Sequence, residues 1–211
     1  MSILIEISEN LQKGKAKIVK ELCAKAIEDG LKADQILTEG LLSGMDVVGE
    51  KFKNNEVYVP EVLIAARAMN MGMELLKPYL DEGGAQPLGK AVIGTVKGDL
   101  HDIGKNLVKM MLQGKGIEVI DLGVDVSAEQ FFTAAKENGA KIICCSALLT
   151  TTMTEMKAVV DLLEKEGYRD QVKVMVGGAP VTDAFCKSIG ADAYTADAAS
   201  AADAAKAFLL A

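Results

Sequence analysis

His101 is the single histidine in a chain of 211 residues, so any chemistry that needs an imidazole must use it. Asp99 stands two positions before it, in the run Lys97-Gly98-Asp99-Leu100-His101-Asp102-Ile103-Gly104. In an extended loop, a carboxylate at that spacing can accept a hydrogen bond from one ring nitrogen. The other nitrogen is then free to act as a base or as a metal ligand. Taken alone, the same run also describes a surface histidine beside carboxylates. Two further segments combine with it. Ser146-Ala147-Leu148-Leu149-Thr150-Thr151-Thr152 is rich in hydroxyls, and Gly177-Gly178-Ala179-Pro180 in glycine. A hydroxyl after a strand can cap the next helix, and Thr152 or Thr154 suits that role. Ser146, Thr150, Thr151, Thr152 and Thr154 are more hydroxyls than one cap needs. A Gly-Gly pair makes a turn, and it also lets something bulky approach the backbone.

Other chemistries fit less well. Ser146 is not in a G-x-S-x-G elbow, which argues against a hydrolase triad. Neither G-x-G-x-x-G nor a P-loop motif occurs. A phosphoacceptor receiver needs an acidic pair after its first strand and a lysine after its fifth, and neither is found before residue 99 or near Tyr194. The four cysteines, Cys23, Cys144, Cys145 and Cys186, include no C-x-x-C pair. They read as buried, reduced thiols rather than zinc ligands, which fits a cytoplasmic location. The net charge of −7, with no Lys/Arg cluster, argues against nucleic acid as a partner. No apolar run approaches the ~20 residues of a membrane span, and Glu6 in the opening MSILIEISEN argues against a secretory signal.

The elements that must position these residues fall into two halves with different periods. Apolar residues recur at helical spacing in the first: Ile18, Leu22, Cys23 and Ile27 between Lys15 and Asp29, then Ile36, Leu37, Leu41, Met45, Val48 and Phe52 between Lys32 and Phe52. Pro60 suits the first turn of a helix running through Val62, Leu63, Ala66, Met69, Met73 and Leu76 to Pro78. With a short helix around Ile3 to Asn10, the spacing predicts a four-helix bundle. Asp81 to Leu88, DEGGAQPL, reads as a linker. Beyond it, strand-like runs at Lys90–Val96, Glu118–Leu122, Lys141–Ser146, Val172–Gly177 and, more weakly, Ala191–Tyr194 alternate with helical stretches. That alternation predicts an α/β, Rossmann-like (flavodoxin-like) domain with a five-stranded parallel sheet in the order 2-1-3-4-5. The expected boundaries are 1–83 for the helical half, 84–89 for the linker and 90–211 for the sheet domain. In such a sheet the ligand crevice lies past the carboxyl ends of strands 1 and 3, which is where the three motif loops fall.

Asp99-x-His101-x-x-Gly104, then Ser146-x-Leu148, then Gly177-Gly178 resembles the cobalamin-binding signature of corrinoid-dependent methyltransferases, in residues and in spacing. The surrounding TVKGDLHDIGKN and DLGVDV are similar to the cobalamin module of methionine synthase. Gly44-Met45-x-x-Val48-Gly49-x-x-Phe52 and Val59-Pro60-Glu61 resemble the helical cap of the same family. The resemblance covers nearly the whole chain, and its layout is that of the small corrinoid proteins of methanol- and methylamine-type systems.

The resemblance implies a cobalamin or related corrinoid, held with its own nucleotide base detached from cobalt. His101 is then the lower axial ligand, Asp99 orients it, and Thr152 is the third member of the relay. The nucleotide tail would lie beside strand 1 in a slot lined by Gly104, Ser146, Leu148, Thr150, Gly177 and Gly178, with Tyr194 to Ala198 near its far end, and Asp102 is a further cofactor-binding candidate. Tyr58, Val59, Leu63 and Met69 are candidates to cover the upper, methyl-carrying face. Each reads equally as bundle core, and Met69, Met71 and Met73 as gap-filling core. The function implied is a methyl carrier between a substrate-specific methyltransferase and a second, methyl-accepting methyltransferase with a folate or thiol acceptor, kept active by a reductive activase. A cobalamin-binding sensor module is the rival, although its cap usually carries a tryptophan and a further histidine, and this chain has neither. A mutase small subunit is another, although those typically lack such a cap.

Overall fold

The computed structural model describes residues 2–83 and 86–211. Met1 lies outside the described residues, as do Gly84 and Ala85 within the segment read as the linker. The chain divides into two compact units, Met1–Gln86 with Gly114–Gly116, and Pro87–Gln113 with Ile117–Ala211.

The first unit is helical. Helix α1 (Ile3–Gln12) buries Leu4, Ile7 and Leu11, one face at helical spacing. Helix α2 (Ala16–Glu28) forms where expected but is rotated about its axis: Val19, Cys23 and Ala26 are buried, while Ile18 is exposed. Packing against both α1 and α5 selects the narrower Val/Cys/Ala face, which lets the helices approach closely. The third helical stretch starts as α3 (Ala33–Gln35), passes through a π-helical segment (Ile36–Leu42) and continues as α4 (Ser43–Lys53). The wider turns keep Ile36, Leu41, Met45 and Val48 on the buried side. Helix α5 (Val59–Gly83) opens with the Glu61 carboxylate accepting from the Tyr58 amide at 3.0 Å. It was expected to end at Pro78, yet it runs on to Gly83, so Asp81 to Gly83 are helical. A proline inside a helix removes one hydrogen bond. Leu76 and Leu80, buried on either side of it, hold the chain helical across that gap.

The second unit is a parallel five-stranded sheet with the expected order, β2-β1-β3-β4-β5. The strands are β1 (Gly89–Thr95), β2 (Ile117–Asp121), β3 (Ile142–Ser146), β4 (Lys173–Gly177) and β5 (Ala193–Tyr194). Helices α6 (Ile103–Gly114), α7 (Ala128–Asn138), α8 (Met153–Lys165), α9 (Asp183–Ser188) and α10 (Ala198–Leu210) lie between and after them. β1 and β3 are buried almost end to end, as strands covered on both faces must be. Val92, Phe131, Ile143, Met156, Leu163 and Val174 belong to one core cluster on this sheet. Helix α7 starts at a full capping box of Ser127 and Gln130. All four cysteines are buried and free. Burial pushes the Cys144 thiol up to about 12 and the Cys23 thiol up to about 11, which removes them as nucleophiles.

The register sets up the site. Thr95, Ser146 and Gly177 pair in one row across the carboxyl ends of β1, β3 and β4. β1 has β2 on one side and β3 on the other, so the point where strand order reverses lies between β1 and β3.

Candidate functional site

The loop leaving β1 carries Asp99 and His101. The loop leaving β3 closes over Asp99 from the neighbouring strand. Asp99 has no solvent exposure. Its Oδ1 lies 2.6 Å from His101 Nδ1 and accepts the His101 amide at 3.1 Å. Its Oδ2 accepts the amides of Leu148 at 2.8 Å and Leu149 at 3.2 Å, and the Thr152 hydroxyl at 2.8 Å. Burial on its own raises this carboxyl, but the hydrogen bonds from His101, the Leu148 amide and Thr152 outweigh it and hold Asp99 well below the usual carboxylate range. An ionised carboxylate only accepts, so the hydrogen on the facing imidazole nitrogen must be on Nδ1. In the neutral imidazole Nε2 then carries the lone pair, on a side chain that is 51% exposed. The arrangement fixes the imidazole through Nδ1 and leaves Nε2 as the nitrogen that could bind a metal.

Thr152 stands at the N-cap position of α8 but makes no cap hydrogen bond. Its oxygen is within reach of both Asp99 Oδ2 and the Leu149 carbonyl, at 2.8 and 2.9 Å. One hydroxyl proton can satisfy only one of these acceptors at a time. The expected cap role is therefore replaced by a bond to the buried carboxylate. Thr154 makes only a 3.5 Å contact with the Thr151 carbonyl.

The other residues proposed from the sequence fall in several places. Leu148 joins Asp99 through its amide. Ser146 and Gly177 are register neighbours at the strand ends. A Cβ at Gly104 or at Gly177 would meet no protein atom within 4 Å. Gly178 has φ +133, and a Cβ there would collide with the Ala147 carbonyl, so glycine is required where this turn passes the β3 loop. Asp102 accepts the Asn106 side-chain amide at 3.0 Å and turns toward α6. Thr150 is exposed. Tyr194 is half-buried against the sheet core, and Ala198 is buried in the first turn of α10. In the helical unit, Tyr58 and Leu63 are exposed, Val59 is half-buried and Met69 is buried.

Several contributors were not singled out from the sequence. Leu100 and Ile103 flank the histidine at 72% and 78% exposure; Leu149 is 42% exposed, beside Leu148, which the sequence had singled out, at 43%. Exposed apolar side chains in the two loops that carry His101 and close over Asp99 are suited to cover an apolar ligand. Their signal was two large hydrophobics in an otherwise polar loop. Thr95, buried, donates its hydroxyl to the His101 carbonyl at 2.8 Å. It is the lone hydroxyl in the run KAVIGTV. Lys105, also buried, reaches Asp121 Oδ1 at 2.7 Å and Asn106 Oδ1 at 2.8 Å, and Lys109 reaches Asp121 Oδ2 at 3.0 Å. These bonds pin the first turns of α6 to the end of β2. No sequence period reveals such a pair.

Residues 89–207 match the B12 binding domain family. Residues 4–77 match a second B12 binding domain family. The chain is 44% identical over 208 residues to a dimethylamine corrinoid protein of Methanosarcina barkeri, covering 98% of this chain and 97% of that one. It is 42% identical over 202 residues to a corrinoid protein of Desulfitobacterium hafniense (strain Y51), covering 93% of this chain and 94% of that one. Among solved structures it is similar to the methanol:cobalamin methyltransferase complex MtaBC from Methanosarcina barkeri, with a TM-score of 0.89 and 31% identity over 99% of this chain and 80% of that one.

The site's chemistry fits such a cofactor. Among the described residues no group of three or more His, Cys, Asp or Glu could hold a metal ion. A metal on His101 therefore needs most of its ligands from its own macrocycle, and the exposed apolar side chains around the ring suit the flat face of one. The open sides of Gly104 and Gly177 leave room beside the strand ends. The chain belongs to the B12-binding family of corrinoid proteins, and its cofactor is a cobalamin or a related corrinoid.

Proposed function

We propose that the chain is a methyl carrier of a corrinoid-dependent methyltransferase system. The observation that carries this reading is the ionised, fully hydrogen-bonded Asp99 at 2.6 Å from His101 Nδ1, which leaves Nε2 as the donor. When bound, the corrinoid supplies a cobalt centre that takes up a methyl group from a donor and yields it to an acceptor. The protein's part is ligation and positioning. His101 is the lower axial ligand of a base-off corrinoid. Asp99 fixes its tautomer, and Thr152 with the Leu148 and Leu149 amides keeps Asp99 charged. Gly104, Ser146, Gly177 and Gly178 form the slot for the nucleotide tail, with Asp102, Thr150, Tyr194 and Ala198 along it.

Relatives named as dimethylamine and trimethylamine corrinoid proteins, and the likeness to a methanol:cobalamin methyltransferase complex, support a substrate-specific methyltransferase as the first partner. A second methyltransferase with a folate or thiol acceptor and a reductive activase complete the system, and the location is cytoplasmic. The test is transfer itself. The reduced holoprotein alone should show negligible turnover with methanol or methylamines. Addition of its co-purifying methyltransferase should move one methyl group per bound corrinoid. Multiple turnovers by the chain alone would overturn the carrier reading.

A further inference from the structure

The His101 loop is gripped from both neighbouring strands, and only one grip uses the motif residues. On the β3 side, Leu148, Leu149 and Thr152 hold the Asp99 carboxylate. On the β2 side the holding residue is Asp125. Its amide donates to the Asp99 carbonyl at 3.0 Å. Its carboxylate Oδ1 accepts the Gly98 amide at 2.7 Å. The two bonds bracket the Gly98–Asp99 peptide link. Asp125 has φ +56 and is one of two non-glycine residues with positive φ among the described residues. Aspartate is among the few side chains that adopt this conformation readily, and here it aims amide and carboxylate at the same turn. The opposing turn is itself left-handed, with Gly98 at φ +79. Asp125 is exposed, and its left-handed backbone brings both of these bonds to the same turn.

We propose that Asp125 is a positioning residue for the cobalt ligand, clamping the Gly98–Asp99 turn so that the Asp99 carboxylate meets His101 Nδ1. This rests on the reading of His101 as the axial ligand. The two bonds of Asp125 go to the main chain of Gly98 and Asp99, and it acts on the imidazole through that main chain. Three substitutions separate its two contributions. Asp125→Asn keeps both the conformation and an acceptor oxygen. Asp125→Gly keeps the conformation and removes the acceptor. Asp125→Ala removes the acceptor and disfavours the conformation.

The experiment has two readouts. In the apoprotein, NMR amide exchange at Gly98 should be faster in Asp125→Gly and Asp125→Ala, and near wild type in Asp125→Asn. In the protein reconstituted with cobalamin, the Co(II)/Co(I) midpoint potential of Asp125→Gly and Asp125→Ala should move toward that of His101→Ala, with Asp125→Asn restored. Cobalamin binding in the first two should weaken at the low end of the about 10–100-fold loss typical of outer-shell partners. If Asp125→Ala does not fold, Asp125→Gly carries the comparison. Wild-type potential and affinity in Asp125→Gly, alongside a shifted His101→Ala, would overturn the proposal, even if Gly98 exchange had changed. A His101→Ala potential equal to wild type would instead overturn the ligation reading, and this inference with it.

Discussion

A buried carboxylate that accepts five hydrogen bonds, from two backbone amides of the β3 loop, one hydroxyl, and the amide and ring of His101, keeps its charge because every lone pair is engaged. The two oxygens of Asp99 have different duties: Oδ1 serves His101, and Oδ2 serves the β3 loop. Asp99→Asn separates these duties. Its NH₂ group cannot face the Leu148 and Leu149 amides, which are donors fixed in the backbone. Turned toward His101 it faces one backbone amide, that of His101, instead of two; there it donates to Nδ1 and moves the ring hydrogen to Nε2, blocking the nitrogen that would bind cobalt. We expect cobalamin binding to weaken by about 10–100-fold, with the apoprotein still folded by circular dichroism. Thr152→Val leaves Oδ2 its two backbone donors and should cost less than Asp99→Asn. Equal spectra and affinity for Asp99→Asn and wild type would remove the orienting role.

At the scale of elements, the loops hold their geometry because the helices and strands behind them are pinned by charge as well as by packing. Asp121 ends β2 and ties it to Lys105 and Lys109 of α6. Burial raises its carboxyl, but Lys105, the Gly123 amide and Lys109 prevail and bring it down to about 2, from an ordinary 3.8. A depressed folded-state value means that the contribution to stability is complete above the unfolded value. It is then lost as pH falls through the folded one. The loss from this group is therefore expected between about pH 4 and pH 2. Asp121→Asn should flatten that part of the unfolding profile, while Asp121→Ala, which strands the buried Lys105, should cost about 3–5 kcal/mol at neutral pH by urea unfolding. An unchanged acid limb in Asp121→Asn would show that the pair does not bear on stability. The strand order, and with it the point between β1 and β3 where that order reverses, was legible in the sequence, because unbroken apolar runs alternating with amphipathic stretches admit few arrangements. The rotation of α2, the run of α5 through Pro78 and the bond from Thr152 to Asp99 were not. The run of α5 goes with the burial of Leu76 and Leu80 on either side of Pro78, which the residue types alone do not reveal. The other two are decided by residues distant in sequence, the partner helices for α2 and Asp99, 53 positions earlier, for Thr152. The Lys105–Asp121 pair was hidden for the same reason.

For the whole molecule, the division into two units with separate cores places every residue of the Asp99 network in the second. A fragment of residues 87–211 should therefore unfold cooperatively and still take up cobalamin, read by a stable absorbance spectrum after gel filtration; loss of the cofactor from a folded fragment would mean that the binding determinants extend beyond this unit. A property of the entire chain makes the decisive measurement simple: it contains one histidine. With cobalamin reduced to Co(II) in the full-length protein, electron paramagnetic resonance of the ¹⁴N-histidine form should show the three-line superhyperfine splitting of a single axial nitrogen. The same preparation labelled with ¹⁵N-histidine should show two lines, and His101→Ala should show neither. A splitting that is indifferent to the label, or identical in His101→Ala, would contradict ligation by His101 and with it the assignment of this site.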